Sequence, residues 1–370
     1  GEVLAYSLRS DMPKTEALPD HIAYWLHLYN NRTDYLIEHP EEKPSPKKPQ
    51  NEVSPLLTSI WGQGCYHNEA CPVDSLGPCG HVSAGCVAIA LAQIMYYHKY
   101  PTIGCESISY SCPPYGILSA NFAKTSYQWA AMSDTLHESN PAVAKLISHC
   151  GISVKMCYGA HLSSSIGSMA IKALNQFFGF PDALPLHRKD CTFEEWTDIV
   201  RNDLDKGLPV YYAGTSSQGG HAFICDGYDK NGLFHFNFGW DGVADGYYSL
   251  GSPYGLSDRQ YIIHNIVKPA VTFQKEICEG ETYLFKGKVL NQSGYYYDCQ
   301  SGQALALSVH PLPSLSCTHD TIVEYGKAIQ LIANGADTYL WSTGDTTKTI
   351  TINPTADKVY SVTGFSQQGC

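Results

Sequence analysis

Gly85-Cys86-Val87-Ala88-Ile89-Ala90-Leu91-Ala92-Gln93, running on through Ile94, Met95 and His98 to Tyr100-Pro101, decides the fold. Val87, Leu91, Ile94, Met95 and His98 recur on one broad face and Pro101 supplies a stop, so the pattern predicts a helix over 85–100. A cysteine then stands in the first turn, behind a glycine that lets another backbone come close. The free N–H groups and the dipole of a helix start favour thiolate, the attacking species, and can also face a developing oxyanion. A cysteine in an apolar run is equally at home as a small core residue or a disulfide half, so chemistry requires partners elsewhere.

Gly219-Gly220-His221-Ala222-Phe223 offers one: a histidine at the start of a strand-like run, far from Cys86 in sequence as a thiol protease requires. The runs Gly219 to Tyr228 and Leu233 to Phe238 flank Asp229-Lys-Asn-Gly232, whose Asn-Gly is a hairpin signal. Asn237 lies across that turn, where its side-chain carbonyl could accept the imidazole N–H and set the tautomer that deprotonates a thiol. Gln63, in Trp61-Gly-Gln63, is a candidate second oxyanion donor, and Trp240 a candidate cover over the His221–Asn237 pair. Taken singly, each has a bland reading: a satisfied core histidine, a turn asparagine, a solvated glutamine, a core tryptophan.

Working outward, 370 residues suggest two to three domains. The formal net charge is -11 and no basic run exceeds Lys47-Lys48, which argues against a nucleic-acid partner. The longest apolar segment, Val87 to Tyr97, is interrupted by Gln93 and falls short of a membrane span. Fourteen cysteines spread along the chain favour an oxidising, extracytoplasmic compartment. The start at Gly1 and the stop at Cys370 read as cuts from a longer precursor, with Cys370 the natural unpaired thiol.

Four organisational blocks are expected. Residues 1–50 carry a helical pattern over His21 to Ile37 and a Pro-rich, charged linker from His39 to Asn51, exposed and open to cleavage. Residues 51–268 form the catalytic domain. Residues 269–315 and 316–370 alternate β-type runs with turn pairs such as Asn334-Gly335, the texture of small β modules. Cys278 with Cys299 is a possible staple of the first module, and Cys317 with Cys370 of the second. Cys65, His67, Cys71, Cys79, His81 and Cys86 are dense enough to raise a zinc site, but the spacing does not reproduce paired knuckles, and a disulfide between two of Cys65, Cys71 and Cys79 is the preferred reading. No cofactor and no metal are expected.

The segments Trp61-Gly-Gln63, Gly85 to Met95 with Tyr97-His-Lys-Tyr-Pro101, Gly220-His221-Ala-Phe and Asn237-Phe-Gly-Trp240-Asp-Gly242, in this order, resemble the streptopain family of cysteine peptidases over about residues 53–267. The resemblance implies an α+β, papain-like two-lobed fold with Cys86 as nucleophile, His221 as base, Asn237 as imidazole orienter, Gln63 as oxyanion donor and Trp240 beside the histidine. It further implies substrate-backbone contacts at Gly220 and along the loop after Tyr158-Gly159, which points to Ser163. Val3 to Ser7, Leu18-Pro19 and Trp25-Leu26 resemble the last part of the family's propeptide, an intramolecular inhibitor, with maturation expected between Pro44 and Leu56. The stretch Trp341 to Ile352 with Val359 to Thr363 is close to immunoglobulin-like repeats of exported bacterial proteins. One departure is Phe238, where well-known members have tryptophan.

The expectation is therefore a secreted or cell-surface bacterial endopeptidase, made as a zymogen, acting on protein substrates. Two rivals belong to other classes. A thioester-forming site could transfer its acyl group to an amine instead of water. A silent peptidase-like scaffold could serve a surface-binding adhesin, with the C-terminal modules contacting a surface or another protein.

Overall fold

The computed structural model describes residues 5, 6 and 51–370. The helix expected over His21 to Ile37, the linker up to Gln50 and most of the propeptide-like segment lie outside them. The chain divides into two compact units, Gly1–Ala270 with Cys299–Gly302, and Val271–Asp298 with Gln303–Cys370. No helix among the described residues is long and apolar enough to cross a membrane.

In the first unit the expected helix forms as α1 (Cys86–His98). It ends two residues before the predicted boundary because Lys99 adopts a left-handed conformation and returns its N–H to Met95 and Tyr96 carbonyls. From Val87 to Tyr96 every side chain is buried, so α1 is a core helix. It packs against α2 (Pro141–Ser153), which is capped by Asn140, and on its other side against the main sheet. Leu91, Ile94 and Met95 are fully enclosed, each stabilising the fold by about 1.5–3 kcal/mol. Two further helices follow, α3 (Ser168–Gln176) and α4 (Phe193–Asp205), the latter opened by a Thr192–Glu195 capping box.

The sheet is antiparallel and seven-stranded. Its strands are β1 (Ala5–Tyr6), β4 (Leu184–His187), β5 (Val210–Ser216), β6 (Gly219–Tyr228), β7 (Phe234–Asn237), β8 (Gly246–Tyr248) and β9 (Asp258–His264), in the order β1-β8-β7-β6-β5-β9-β4. A small hairpin, β2 (Ser107–Ser111) with β3 (Ile117–Asn121), stands apart from it. The β6–β7 hairpin forms where the Asn-Gly signal put it, with Asp229 accepting the N–H groups of Asn231 and Leu233. Central strands β5 and β6 are covered on both faces, and α4 supplies Trp196, Val200 and Leu204 to the core built on Tyr212, Phe223 and Phe236. The segment Val53 to Leu57 is laid along β6, bridging Val53 to Tyr228 and giving the Leu57 N–H to the Asp226 carboxylate.

The second unit is all β. Strand β10 (Phe273–Cys278) pairs in parallel with β14 (Gln303–His310), which also pairs with β13 (Gly294–Asp298), and β11 (Tyr283–Phe285) forms a ribbon with β12 (Lys288–Leu290). Beyond them β15 (Ser316–Cys317), β16 (Ile329–Asn334) and β18 (Thr349–Ile352) make one small sheet, and β17 (Thr338–Trp341) with β19 (Val362–Phe365) another. Ala333, Tyr339, Trp341 and Ile350 form a compact core. The α+β class expected from the sequence is what the chain adopts.

The disulfides correct two expected pairings. Cys278 bonds Cys370 within the second unit, and Cys299 bonds Cys105 within the first. Register explains the first departure: Cys278 lies level with His310, whereas Cys299 precedes the Gln303 end of β14, roughly 23 Å away at ~3.3 Å per residue. Disulfide Cα atoms must lie within about 7 Å. Cys370 is not an unpaired thiol, and Cys317 is left free and exposed. Cys65 pairs with Cys79, which takes two thiols from the cluster weighed as a zinc site.

Candidate active site

Cys86 is the first residue of α1 and is partly exposed. Gly85 before it has φ +88°, a backbone conformation that L side chains rarely adopt, so the position favours glycine. Burial pushes the Cys86 thiol up, opposed by backbone N–H groups of Ala222, Val87 and Cys86 itself directed at the sulfur. Since Ala222 follows His221, the start of β6 and the start of α1 are brought together.

His221 is held by an unexpected partner. Its Nε2 lies 2.7 Å from the Phe238 carbonyl oxygen. A carbonyl only accepts, so Nε2 carries the proton and Nδ1 keeps its lone pair. Burial pushes the imidazole down to about 4, with the Phe238 carbonyl pulling the other way. Trp240 stacks on the ring at 4.3 Å between centroids and 29° between planes.

Asn237 is the correction at this site. Its side chain does not meet the imidazole: Oδ1 accepts from Gln93 Nε2 (2.9 Å) and from the Gly239 N–H (3.1 Å), while Nδ2 donates to the Ser59 carbonyl (2.9 Å). Asn237 sits near the end of a strand whose next residue turns its carbonyl to the histidine, so the side chain braces the turn instead of the ring. Gly239 makes this possible with φ +67° and Ile89 packed at 2.8 Å from a would-be Cβ. Asp245 holds the other flank, accepting the Phe238 N–H at 2.8 Å.

Gln63 lies on the approach to Cys86. Its carbonyl accepts the Ala84 N–H (3.0 Å) and its Oε1 accepts from Ser83 Oγ (3.4 Å), which leaves Nε2 as a donor. The preceding Gly62 donates its N–H to buried His67 (3.4 Å), whose other nitrogen is 3.7 Å from Asp241. Gly220 is exposed on β6 beside the histidine. Ser163 is buried, and its hydroxyl serves the protein: it donates to the Ser83 carbonyl (2.6 Å) and accepts the Gly159 N–H (3.2 Å).

Sequence reasoning missed Phe238, Gln93, Ser59, Asp245 and His67. A signal existed for Gln93 alone, a carboxamide interrupting an apolar helix. The others act through a backbone carbonyl or through pairings that only the fold creates. No group of three or more His, Cys, Asp or Glu that could hold a metal occurs among the described residues.

The chain is similar to streptopain of Streptococcus pyogenes, with 34% identity over 227 residues covering 54% of this chain and 56% of the relative. It is also similar to the thiol protease/hemagglutinin PrtT of Porphyromonas gingivalis, with 29% identity over 274 residues covering 67% and 31%. It thus spans about half the length of the streptopains it matches. Among solved structures, active wild-type interpain A cysteine protease of Prevotella intermedia superposes with a TM-score of 0.56 at 38% identity, covering 61% of this chain and 99% of that one. A mutant prointerpain A fragment of the same organism gives 0.60 at 32%, covering 72% and 89%. The model of the Peptidase C10 family matches residues 61–248, the span from the Trp61 loop through α1 to β8 that carries Gln63, Cys86, His221, Asn237 and Trp240, and the chain belongs to that family.

Proposed function

We propose that the protein is a secreted cysteine endopeptidase, made as a zymogen, that hydrolyses protein substrates with Cys86 as nucleophile and His221 as general base. The observation that carries the reading is the His221 imidazole fixed by its Nε2–H on the Phe238 carbonyl, with His221 next in the chain to Ala222, whose N–H favours the Cys86 thiolate. Nδ1 of His221 takes the thiol proton, and the thiolate attacks the substrate carbonyl. The oxyanion is received by the Cys86 N–H and Gln63 Nε2, a pair whose single loss typically costs about 3 kcal/mol. The imidazolium, stabilised by the Trp240 face, returns its proton to the leaving amine, and water resolves the acyl-enzyme.

Burial favours the uncharged thiol and imidazole at rest, so proton transfer from Cys86 to His221 accompanies attack on the substrate carbonyl, with the N–H donors stabilising the charge as it develops. Gly220 is the exposed backbone offered to an extended substrate, with preference for an apolar side chain one residue upstream of the scissile residue. Ser163 contributes by shaping the loop after Tyr158. Residues 1–50 act as inhibitory propeptide and linker, and the cysteine content supports an extracytoplasmic site.

The test is hydrolysis of unfolded casein under mild reductant, by the full chain and by Cys86→Ala, each after incubation for self-processing. Wild type is expected to cleave casein and its own linker while Cys86→Ala stays intact and inactive. Equal inertness of both, even with residues 1–50 removed, would sink the reading.

A further inference from the structure

Gln93 interrupts an otherwise apolar helix and is completely buried, two turns beyond Cys86 on α1. Its carboxamide spans two segments. Oε1 accepts the Ser59 hydroxyl (2.9 Å) and the Trp61 N–H (3.3 Å), while Nε2 donates to Asn237 Oδ1 (2.9 Å). Backbone groups force these directions. The Trp61 N–H can only donate, so the atom it meets is the oxygen of Gln93. The Gly239 N–H can only donate, so the atom it meets is the oxygen of Asn237, and the Ser59 carbonyl then receives Asn237 Nδ2.

The next step is covalent. The Gly239 N–H and the Phe238 carbonyl belong to one planar peptide unit, so holding the N–H fixes the direction of the carbonyl, which accepts His221 Nε2–H. On the other side, Ser59 and Trp61 precede Gln63 by four and two residues. The helix that begins with the nucleophile thus carries one side chain that touches both the segment leading to the oxyanion donor and the turn that aims the base.

We propose that Gln93 is a positioning residue of the reaction: through Asn237 and the Phe238–Gly239 peptide it holds His221 with Nδ1 free for the thiol proton, and through Ser59 and Trp61 it holds the approach to Gln63. The inference rests on the peptidase reading above. It also sets a requirement that a buried polar side chain with a packing role alone would not, namely a donor toward Asn237 and an acceptor toward Trp61 at the same time.

Gln93→Glu tests this because the two protonation states of a carboxyl differ in that one property. Protonated, it donates through its hydroxyl to Asn237 and accepts at its carbonyl; ionised, it only accepts and opposes Asn237 Oδ1. The full chain, its Cys86→Ala control, Gln93→Glu and Gln93→Met are compared across pH for peptide hydrolysis. Iodoacetamide alkylation read at the Cys86 peptide by mass spectrometry is followed in parallel, with circular dichroism verifying the fold at each pH. The expected result for Gln93→Glu is near-wild-type kcat in acid and a 10- to 100-fold loss as the carboxyl ionises, with KM little changed and alkylation of Cys86 following the same curve. Gln93→Met should lose 10- to 100-fold in kcat at every pH without acid recovery.

A folded Gln93→Glu whose pH profile parallels wild type within threefold, or a folded Gln93→Met with wild-type kcat, overturns the proposal. Should neither variant fold, Asn237→Ser cuts the link one bond nearer the histidine: unchanged kcat and alkylation profile there also overturn it, and a selective kcat loss supports it. Absence of any Cys86-dependent hydrolysis or alkylation in the wild-type chain defeats the peptidase reading itself; variants that match an active wild type defeat only the role of Gln93.

Discussion

Helix α1 and the turn Asn237–Gly239 meet beside Cys86 and His221 but are held there by opposite means. The helix is fixed by enclosure, with every side chain from Val87 to Tyr96 buried and only Gln93 polar among them until Tyr96. The turn is fixed by direction, its peptide groups gripped by Asn237 and Asp245 and its carbonyl given to His221. Apolar burial sums over area and tolerates changes of shape, whereas a hydrogen bond in a dry site fails when one atom is wrong. The platform that carries Cys86 should therefore lose stability when disturbed, and the platform that holds His221 should lose rate.

The largest effect is expected from neither platform but from the atom they serve. Cys86→Ala keeps the helix and should lower casein hydrolysis by at least ~10⁴-fold, with a thermal midpoint within about 2 °C of wild type. Retention of more than a percent of activity would place the chemistry elsewhere. Next is the helix interior: Ile94→Ala removes a fully enclosed side chain and should cost about 2–5 kcal/mol in urea unfolding. Its kcat below the melting range should stay within about threefold; a larger fall would erase the contrast.

Asn237→Ala should show the reverse pattern. A loss of ~10- to 100-fold in kcat, about 1.4–2.7 kcal/mol, is expected with KM little changed. A pure KM effect would mean the turn touches substrate and does not aim the base.

The smallest effect concerns acid. Burial pushes His98, His149 and His221 each down to about 4. A folded state that holds these rings neutral binds fewer protons than the unfolded chain, so their contribution is full above about pH 6.5 and is lost as pH falls toward 4. At pH 6 the loss should be about 1 kcal/mol per ring, read as a falling urea midpoint. Replacing His98 or His149 should flatten that slope; an unchanged slope would mean the rings are not buried neutral.

The same contrast explains what was legible in the chain. Apolar recurrence announced α1, and Asn-Gly announced the β6–β7 hairpin, because periodicity and turn chemistry are local. Cys86, Gln63, His221 and Trp240 were singled out as candidates by residue type and order. The partner of His221 was not, because a backbone carbonyl belongs to every residue and only the path of the turn selects Phe238. Asn237 was expected on the imidazole itself, and its side chain lies one peptide unit away, on the Gly239 N–H. The pairing of Cys278 escaped for a related reason: the parallel register of β10 on β14 has no trace in composition.

The Cys278–Cys370 bond has a practical consequence for anyone watching the molecule age. It closes a ring of polypeptide, and a nick anywhere from Glu279 to Gly369 opens that ring without setting a piece adrift. Gels run without thiol would show one band from a chain already cut in two, and the history of the cuts would surface only when the sulfur–sulfur bond is opened.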